Sequence, residues 1–371
     1  MNEKNLERKN LHDGFEDDLD PLESLDLKKI NNFSELTKAM SKTAFGGRSL
    51  GEAVDVLEAM TKDKDCFIVL TLSGAMTAAK MGLIICDLID HGMVNAVVST
   101  GALVTHGFVE AQGMTHFKYK FGEMDDNDLY DKGYDRIYDI IELEKNLDDT
   151  ELTIKKILTN LNMNGVYSSR KICEELGKYL KDNVQGRGIL KSAYDKKVPV
   201  YIPSFTDSEL GLDFALFNRR QKMFKKPTLK FDVFLDLEDF TKLISKQKSI
   251  GIFTVGGGVP RNWAQQVAPY LEIIQKRDAN LCNECDGVGC KECEWKGSKK
   301  DLKLVRYKYG VRICPEPAFW GGLSGCTYSE GVSWGKFTPK EEGGQWAEVL
   351  CDATIALPIV VKAVMERMGI K

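Results

Sequence analysis

Residues 66–99, CFIVLTLSGAMTAAKMGLIICDLIDHGMVNAVVS, decide the fold. This stretch begins with an apolar run, Cys66–Leu72, and ends with a second apolar run at 93–99. Between them, apolar residues at helical spacing predict a helix over 76–91. A strand–helix–strand unit of this length implies two parallel strands joined by a right-handed crossover. The stretch therefore predicts an α/β fold with a mostly parallel sheet flanked by helices.

The rest of the chain continues the same pattern. Further apolar runs predict buried strands over 198–202, Ser249–Val255, 304–307, 311–314 and 347–351, the third and fourth separated by Gly310. Helical spacing predicts helices over 33–60, 168–180 and 260–276, the first interrupted at Gly46 and Gly47. The many charges of the segment 117–165 predict helices with connecting loops. We therefore expect one domain over 33–371, preceded by a flexible, highly charged extension over 1–32.

Composition narrows the class of protein. The chain has 371 residues, 43% of them hydrophobic, and a formal net charge of −4. This charge argues against a nucleic-acid partner. We find no secretory apolar segment and no apolar run of about 18 residues, the length that would span a membrane. Ten cysteines in such a chain indicate reduced thiols or metal ligands. We expect a cytoplasmic protein.

Small residues follow three of the predicted strands. Ser73 and Gly74 follow the first strand, and the turn Ser-Thr-Gly-Ala at 99–102 follows the second, while Gly256, Gly257 and Gly258 follow the strand Ser249–Val255. Ligands of open parallel sheets bind at the carboxyl ends of the strands. A strand, glycines and a helix N-terminus can also present backbone N–H groups to a phosphate. Tight turns without a ligand would give the same residues.

The segment GGLSGCTYSEGVSWGK at 321–336 is rich in glycine and serine, which predicts a loop that approaches something closely. Its last residue, Lys336, follows Trp334 by two positions and Glu330 by six. A lysine desolvated beside an indole loses part of its proton affinity and becomes a nucleophilic amine, as imine chemistry requires. The alternative is an ordinary solvated lysine.

Four cysteines lie within twelve residues, as two C-x-x-C pairs, and are Cys282, Cys285, Cys290 and Cys293. Thiolates on two such turns supply the tetrahedral sulfur set that zinc prefers. We predict a structural zinc knuckle that folds an insertion over 279–300, with an iron–sulfur cluster and oxidation-prone surface thiols as the alternatives.

The segment SEGVSWGK resembles the EAVSWGK motif of the deoxyhypusine synthase family, whose lysine carries a covalent aminobutyl imine. The resemblance implies that Lys336, Glu330 and Trp334 are catalytic. It extends over roughly 40–371 apart from the cysteine insertion, and it implies a Rossmann-like domain and a homotetramer with NAD sites near subunit interfaces. The residues implied to bind NAD are Ser73, Thr100, Gly101, Asp207, Gly256, Gly257, Gly258, Asp352 and Ala353.

The chain departs from the family's pattern at the amine-binding positions. Asn262 replaces the active-site histidine, and Trp320 and Leu323 stand where acids hold the polyamine's ammonium groups. The second aspartate of the TDGSLGD motif falls on Leu212, with Asp213 beside it. His106 follows the Ser-Thr-Gly-Ala turn and is a candidate acid–base group. We take the substrate-binding candidates to be Asn262, Asp213 and His106.

The resemblance implies an NAD-dependent aminoalkyl transferase that acts on a polyamine such as spermidine through a lysine imine. The motifs resemble those of bacterial-type members, which favours a small diamine acceptor and homospermidine formation over modification of a protein lysine. A catalytically inactive, NAD-binding scaffold is the third hypothesis, since Asn262 replaces a histidine.

Overall fold

The computed structural model describes residues 11–74, 76–276, 282, 285, 290–295 and 304–370. Residues 1–10 of the expected extension lie outside the described residues, as does most of the 279–300 insertion. Residues 11–32 are largely exposed, with one short 3₁₀ helix at Leu27–Lys29. The helices within the described residues are all too short or too polar to cross a bilayer.

Eleven strands occur in the described part of the chain: β1 Cys66–Leu72, β2 Ala96–Ser99, β3 Phe117–Lys118, β4 Tyr134–Ile137, β5 Ile140–Leu143, β6 Val166–Tyr167, β7 Val200–Tyr201, β8 Lys230–Phe231, β9 Ser249–Val255, β10 Tyr309–Ile313 and β11 Gln345–Val349. The α-helices are α1 Phe33–Met40, α2 Phe45–Lys62, α3 Gly82–Asp90, α4 Gly101–Ala111, α5 Asp126–Asp131, α6 Glu144–Thr159, α7 Ser169–Asn183, α8 Ile189–Lys196, α9 Glu209–Met223, α10 Phe234–Ile244, α11 Gly258–Ile274, α12 Tyr328–Ser333 and α13 Ala353–Arg367.

Six strands form the central sheet, in the order β11-β10-β9-β1-β2-β7, and every pair is parallel. Side chains of β1 alternate between two apolar clusters. Ile68 and Leu70 belong to a cluster that includes α2, α3 and α13, whereas Val69 belongs to one that includes α10 and α11. Helices thus cover both faces, which explains why the central strands read as continuous apolar runs. The predicted α/β fold is confirmed.

Several predicted boundaries are wrong. Gly310 does not separate two strands; it lies inside β10, where a side chain would collide with Tyr328 and Phe337. Gly46 and Gly47 lie in the first turn of α2, and the break falls instead at 41–44. The helix predicted over 76–91 begins at Gly82. Apolar periodicity reports which residues face the core, but it does not report where the backbone turns.

The segment 117–165 contains more strand than its charges predict. A three-stranded antiparallel sheet, β3-β5-β4, precedes helix α6. A short parallel pair, β6 with β8, completes the described strands. These strands lie largely at the surface, where charged residues are tolerated and the alternation of apolar residues is weak.

Candidate functional site

The strand order of the central sheet reverses between β1 and β9, because the chain proceeds from β1 through β2 to β7 on one side and from β9 through β10 to β11 on the other. This reversal is the place where doubly wound sheets bind dinucleotides. Ser73 follows β1, and its Oγ accepts a hydrogen bond of 2.7 Å from the backbone N–H of Gly257, which follows β9. The two sides of the crevice are therefore joined directly.

Glycine is required at the turn after β9. Gly256 has φ of 83°, a left-handed conformation, and a Cβ there would lie 2.0 Å from Ser73 Oγ. A Cβ at Gly257 would lie 2.5 Å from the Cα of Ser324. The turn thus packs against β1 on one side and against the 321–336 segment on the other.

Four helices begin at this carboxyl edge, directly after strands or their turns: α4, α9, α11 and α13. Thr100 caps α4, and a Cβ at Gly101 would collide with Ser208. Ser208 caps α9, and Asp207, which precedes it, is exposed in the turn before the helix. Ordered N-termini at one edge place N–H groups where phosphates bind.

The last predicted cofactor residues lie at the start of α13. Asp352 caps the helix and accepts hydrogen bonds from the backbone N–H and the hydroxyl of Thr354, at 2.7 and 2.6 Å. These bonds hold the pKa of Asp352 below its ordinary value. Ala353, the first residue of the helix, is buried.

The prediction that the 321–336 segment is a loop is wrong in part, because the segment contains helical turns. It contains a 3₁₀ turn at Leu323–Gly325 and the helix α12, whose cap Thr327 accepts a bond from Glu330 N–H. Arg261 donates to the carbonyl oxygens of Ser324 and Cys326, at 3.2 and 2.6 Å. Buried side chains from α11 therefore fix this segment, which glycine content alone does not reveal.

Two further anchors come from the sheet. Arg312 of β10 also donates to the Ser324 carbonyl, and it forms an ion pair with Glu348 of β11. Glu348 in turn accepts a 2.6 Å bond from the N–H of Tyr328, whose hydroxyl donates to the carbonyl of Val311 at 2.9 Å. The segment is thus held against β10 and the edge strand β11.

A cavity of about 180 Å³ lies between α11 and α12. Lys336 closes one side and is only 8% exposed. Its Nζ lies 3.4 Å from Oδ1 of Asn262 and 5.6 Å from the ring centroid of Trp334. The cavity is lined by Arg261, Asn262, Gln265, Gln266, Leu323, Cys326, Thr327, Glu330, Gly331, Trp334 and Lys336. The three residues predicted to be catalytic are therefore brought together, with Asn262.

The surroundings of Lys336 favour its neutral form. Burial lowers the pKa of the Lys336 ammonium, and the positive charge of Arg261 lowers it further, while Cys326 and Glu330 act in the opposite direction. A lysine held in this way is available as a nucleophilic amine nearer neutral pH than a solvated lysine.

Two predicted substrate residues do not line this cavity. Asp213 lies on α9, where burial and the charges of Glu151 and Glu209 raise its pKa to about 7. His106 is buried on α4, with Nδ1 3.2 Å from Glu142 Oε2. The same carboxylate oxygen lies 2.6 Å from Nε2 of His116.

In the cluster of His106, His116 and Glu142, burial and hydrogen bonds have opposite effects on the pKa of Glu142. Burial opposes ionisation of Glu142, but hydrogen bonds from His106, His116 and Asn146 outweigh it and hold the pKa of Glu142 well below its usual range. Lys80 lies 2.9 Å from Nδ1 of His116. His106, His116 and Glu142 thus form a buried cluster, with the exposed Lys80 at its edge.

Sequence reasoning missed Arg261 and Gln265. Both are buried and line the Lys336 cavity, one helical turn apart on α11. The available signal was spacing: residues four apart in a helix share a face. Nothing in the sequence alone indicated that this face is opposite Lys336.

The four predicted metal ligands lie close together. Sγ of Cys282 is 3.8 Å from that of Cys290, Cys285 is 3.8 Å from Cys293, and Cys290 is 3.9 Å from Cys293. All four sulfurs lie within 4.8 Å of one another. A tetrahedral site with Zn–S bonds of about 2.3 Å has sulfur–sulfur edges of roughly 3.8 Å. These four residues could hold a metal ion.

The fold and the lysine cavity define a class of protein. It is a doubly wound α/β protein with a desolvated lysine near the crevice at its strand-order reversal. Comparison with known proteins identifies the family. The deoxyhypusine synthase family model matches residues 35–364. The chain is 35% identical over 322 residues to a protein from Archaeoglobus fulgidus named probable deoxyhypusine synthase 2. The aligned region covers 86% of this chain and 94% of that relative.

A second relative, a deoxyhypusine synthase-like protein from Chlorobaculum parvum, is 32% identical over 350 residues, covering 92% of this chain and 88% of the relative. A crystal structure from Entamoeba histolytica, described as that of a candidate deoxyhypusine synthase, has the same fold; the TM-score is 0.55 at 14% identity, over 92% of this chain and 96% of that one. The chain belongs to the deoxyhypusine synthase family, and this membership implies a transferase enzyme.

Proposed function

We propose that this protein is an NAD-dependent aminoalkyl transferase that acts on a polyamine through an imine on Lys336. The observation that carries the proposal is the buried Nζ of Lys336, set between Asn262 and Trp334 and with a lowered pKa. Desolvation and a nearby positive charge are the two conditions that convert a lysine into an amine nucleophile.

The crevice at the strand-order reversal supports NAD as the cofactor. The residues proposed to hold it are Ser73, Thr100, Gly101, Asp207, Gly256, Gly257, Gly258, Asp352 and Ala353. Gly256 and Gly257 leave room at this edge that side chains would fill, and the N-termini of α4 and α11 favour phosphate. When bound, NAD would accept a hydride from the carbon beside an amine and return it later.

The chain's own residues would perform the transfer between these two hydride steps. Lys336 Nζ attacks the oxidised carbon and holds the aminobutyl group, while a diamine leaves. Glu330 lines the cavity and provides a carboxylate for an ammonium group of the substrate. Trp334 lies against Nζ and helps to exclude water. The acceptor amine then displaces Lys336.

We propose a small diamine as the acceptor, so that the product is homospermidine. A cavity of about 180 Å³ in which Glu330 is the one carboxylate among the described lining residues suits a small amine. Modification of a protein lysine is the second candidate function, supported by the names of the archaeal relatives. An inactive scaffold would bind NAD and leave Lys336 unmodified.

We further propose a structural zinc on the four clustered cysteines, supported by their sulfur–sulfur distances. Four thiolates leave no open coordination position, so the metal would stabilise the insertion and take no part in transfer. A cytoplasmic homotetramer is the assembly that the family suggests.

The test is a product assay with purified protein, NAD, spermidine and putrescine, followed by chromatography of the amines. Homospermidine and 1,3-diaminopropane in equal amounts would support the proposal. Formation of 1,3-diaminopropane only when a protein from the same cell is added would support the second candidate function. No turnover of any amine, despite measurable NAD binding, would contradict transferase activity and favour the scaffold.

A further inference from the structure

Arg261 carries a buried positive charge that lacks a carboxylate partner among the described residues. Its side chain is 3% exposed. Two of its nitrogens donate to the carbonyls of Ser324 and Cys326, and the guanidinium lies 5.2 Å from the ring centroid of Tyr328. Its Nε has no hydrogen-bond partner within the part of the chain that the structure describes. A buried charge without a counter-charge is costly.

Arg312 provides an internal comparison. It is equally buried, it donates to the same Ser324 carbonyl, and its Nε also lacks a partner among the described residues. Arg312, however, forms an ion pair with Glu348. Of these two arginines, the one without a counter-charge is the one that lines the Lys336 cavity. The missing counter-charge is therefore expected on the ligand.

Gln265 supplies a second donor on the same face of α11. It is 4% exposed, lines the same cavity, and its Nε2 has no partner within the described ranges. Because Arg261 and Gln265 are four residues apart on one helix, their side chains lie one above the other. Together they offer N–H groups to two oxygen atoms, the pattern that a carboxylate accepts.

The opposite wall of the cavity has the complementary charge. Glu330 on α12 is the sole carboxylate among the described lining residues. Once the aminobutyl group of the donor is held on Lys336, an acceptor whose charged groups are all ammoniums would pair with Glu330 but would be repelled by Arg261. A ligand with one ammonium and one carboxylate would pair with both residues.

We propose that the acceptor is a small diamine bearing a carboxylate, a diamino acid, with its carboxylate at Arg261 and Gln265. This rests on the proposed transfer through Lys336 and changes its acceptor, because a diamino acid would take the place of putrescine and the product would be a carboxylated polyamine in place of homospermidine. The free amine of the diamino acid bonds to the imine carbon held by Lys336, and the carbon–Nζ bond breaks. The hydride taken from the donor returns to the new imine, so no further oxidant or reductant is needed.

Matched pairs of amines test the proposal. Ornithine is putrescine with one added carboxylate, and 2,4-diaminobutyrate is 1,3-diaminopropane with one added carboxylate. Calorimetry on the full chain with saturating NAD would measure the dissociation constant of each. The expected result is tighter binding of the carboxylated member of each pair, by at least tenfold. Equal or weaker binding of both carboxylated members would overturn the proposal.

Two variants test whether the carboxylate of the ligand binds at Arg261 and Gln265. Arg261→Gln removes the positive charge, and Gln265→Glu places a negative charge beside Arg261 at constant size. Each is expected to reduce the carboxylate preference at least fivefold, whereas Gln247→Glu, outside the cavity, is expected to leave it unchanged. Because Arg261 also anchors Ser324, Gln265→Glu keeps the test valid if the arginine variant fails to fold. An unchanged preference in folded Gln265→Glu would overturn the proposal.

The proposed function is tested separately in the same preparation. A borohydride-trapped aminobutyl adduct formed from spermidine reports the imine on Lys336 and does not require an acceptor. If the adduct forms but the carboxylated amines bind no more tightly than their partners, the acceptor assignment alone is overturned. If the adduct does not form, the proposed function is overturned.

Discussion

The hydroxyl oxygen of Ser73 and the backbone N–H of Gly257 form a 2.7 Å hydrogen bond that joins the two sides of the strand-order reversal. The bond connects the residue that follows β1 to the N-cap residue of α11. The same helix carries Arg261, Asn262 and Gln265 to the Lys336 cavity. One helix therefore connects the proposed cofactor crevice to Lys336.

The close approach at Gly256 gives a prediction about NAD. Gly256→Ala would place a Cβ 2.0 Å from Ser73 Oγ at a φ of 83°, so we expect at least a tenfold loss of NAD affinity, measured by calorimetry. Gly343→Ala is the matched control, because Gly343 has a similar φ of 92° but open space around its Cβ. Equal NAD affinity in the two folded variants would contradict the assignment of this crevice.

The lowered pKa of Lys336 predicts the pH dependence of imine formation. Since the neutral amine reacts, the rate should rise with pH, with its midpoint below the value of about 10.4 for a solvated lysine. Arg261→Gln removes one cause of the lowering, so the midpoint should move upward and the rate at pH 8 should fall. The measurement is the rate of borohydride-trapped adduct from pH 6.5 to 10.5. A midpoint that moves downward would be inconsistent with this electrostatic account.

Asp213 predicts a pH-dependent stability difference. Its folded pKa of about 7 lies above its ordinary value, so the folded state favours the protonated form, and the stability that it contributes at low pH is lost as the pH rises through about 7. Asp213→Asn should therefore melt at a higher temperature than the parent protein at pH 8.5, by roughly 2 °C, and at a similar temperature near pH 4. Differential scanning calorimetry measures both. A lower melting temperature at pH 8.5 would show that the Asp213 carboxylate stabilises the fold.

The cysteine cluster predicts one zinc ion per chain. Cys290→Ser removes one of four ligands and should reduce bound zinc from about one equivalent to below about one-fifth, measured by inductively coupled plasma mass spectrometry, with a lower melting temperature. Cys351→Ser, at a half-buried cysteine outside the cluster, should retain full zinc. Iron in place of zinc would support the cluster alternative, and absence of any metal would contradict the site.

The sequence predicted the parts of the fold that consist of apolar runs. Strands Cys66–Leu72 and Ser249–Val255 have their predicted bounds, because strands covered on both faces are apolar throughout. Helix α12 was missed because its six residues are too few to show a helical spacing of apolar residues. The antiparallel strands before α6 were missed because their exposed faces carry charges.

The site was predicted unevenly for a similar reason. Lys336, Glu330 and Trp334 were found because they lie within one short motif that resembles a family motif, and the structure places all three around one cavity. Arg261 and Gln265 were missed because their role depends on packing of α11 against the 321–336 segment, which is a tertiary contact. His106 was a reasonable acid–base candidate by type, but its partner Glu142 lies on a different element, 36 residues further along the chain.

The most direct test of the central claim is mass spectrometry of the protein after incubation with NAD and spermidine and trapping with borohydride. We predict one added aminobutyl group on Lys336, absent from Lys336→Arg and retained in Lys340→Arg. Lys340 is a fitting control because its Nζ also lies 5.6 Å from a tryptophan ring centroid, that of Trp346, outside the cavity. No adduct with spermidine or any diamine, in protein that binds NAD, would contradict the imine mechanism.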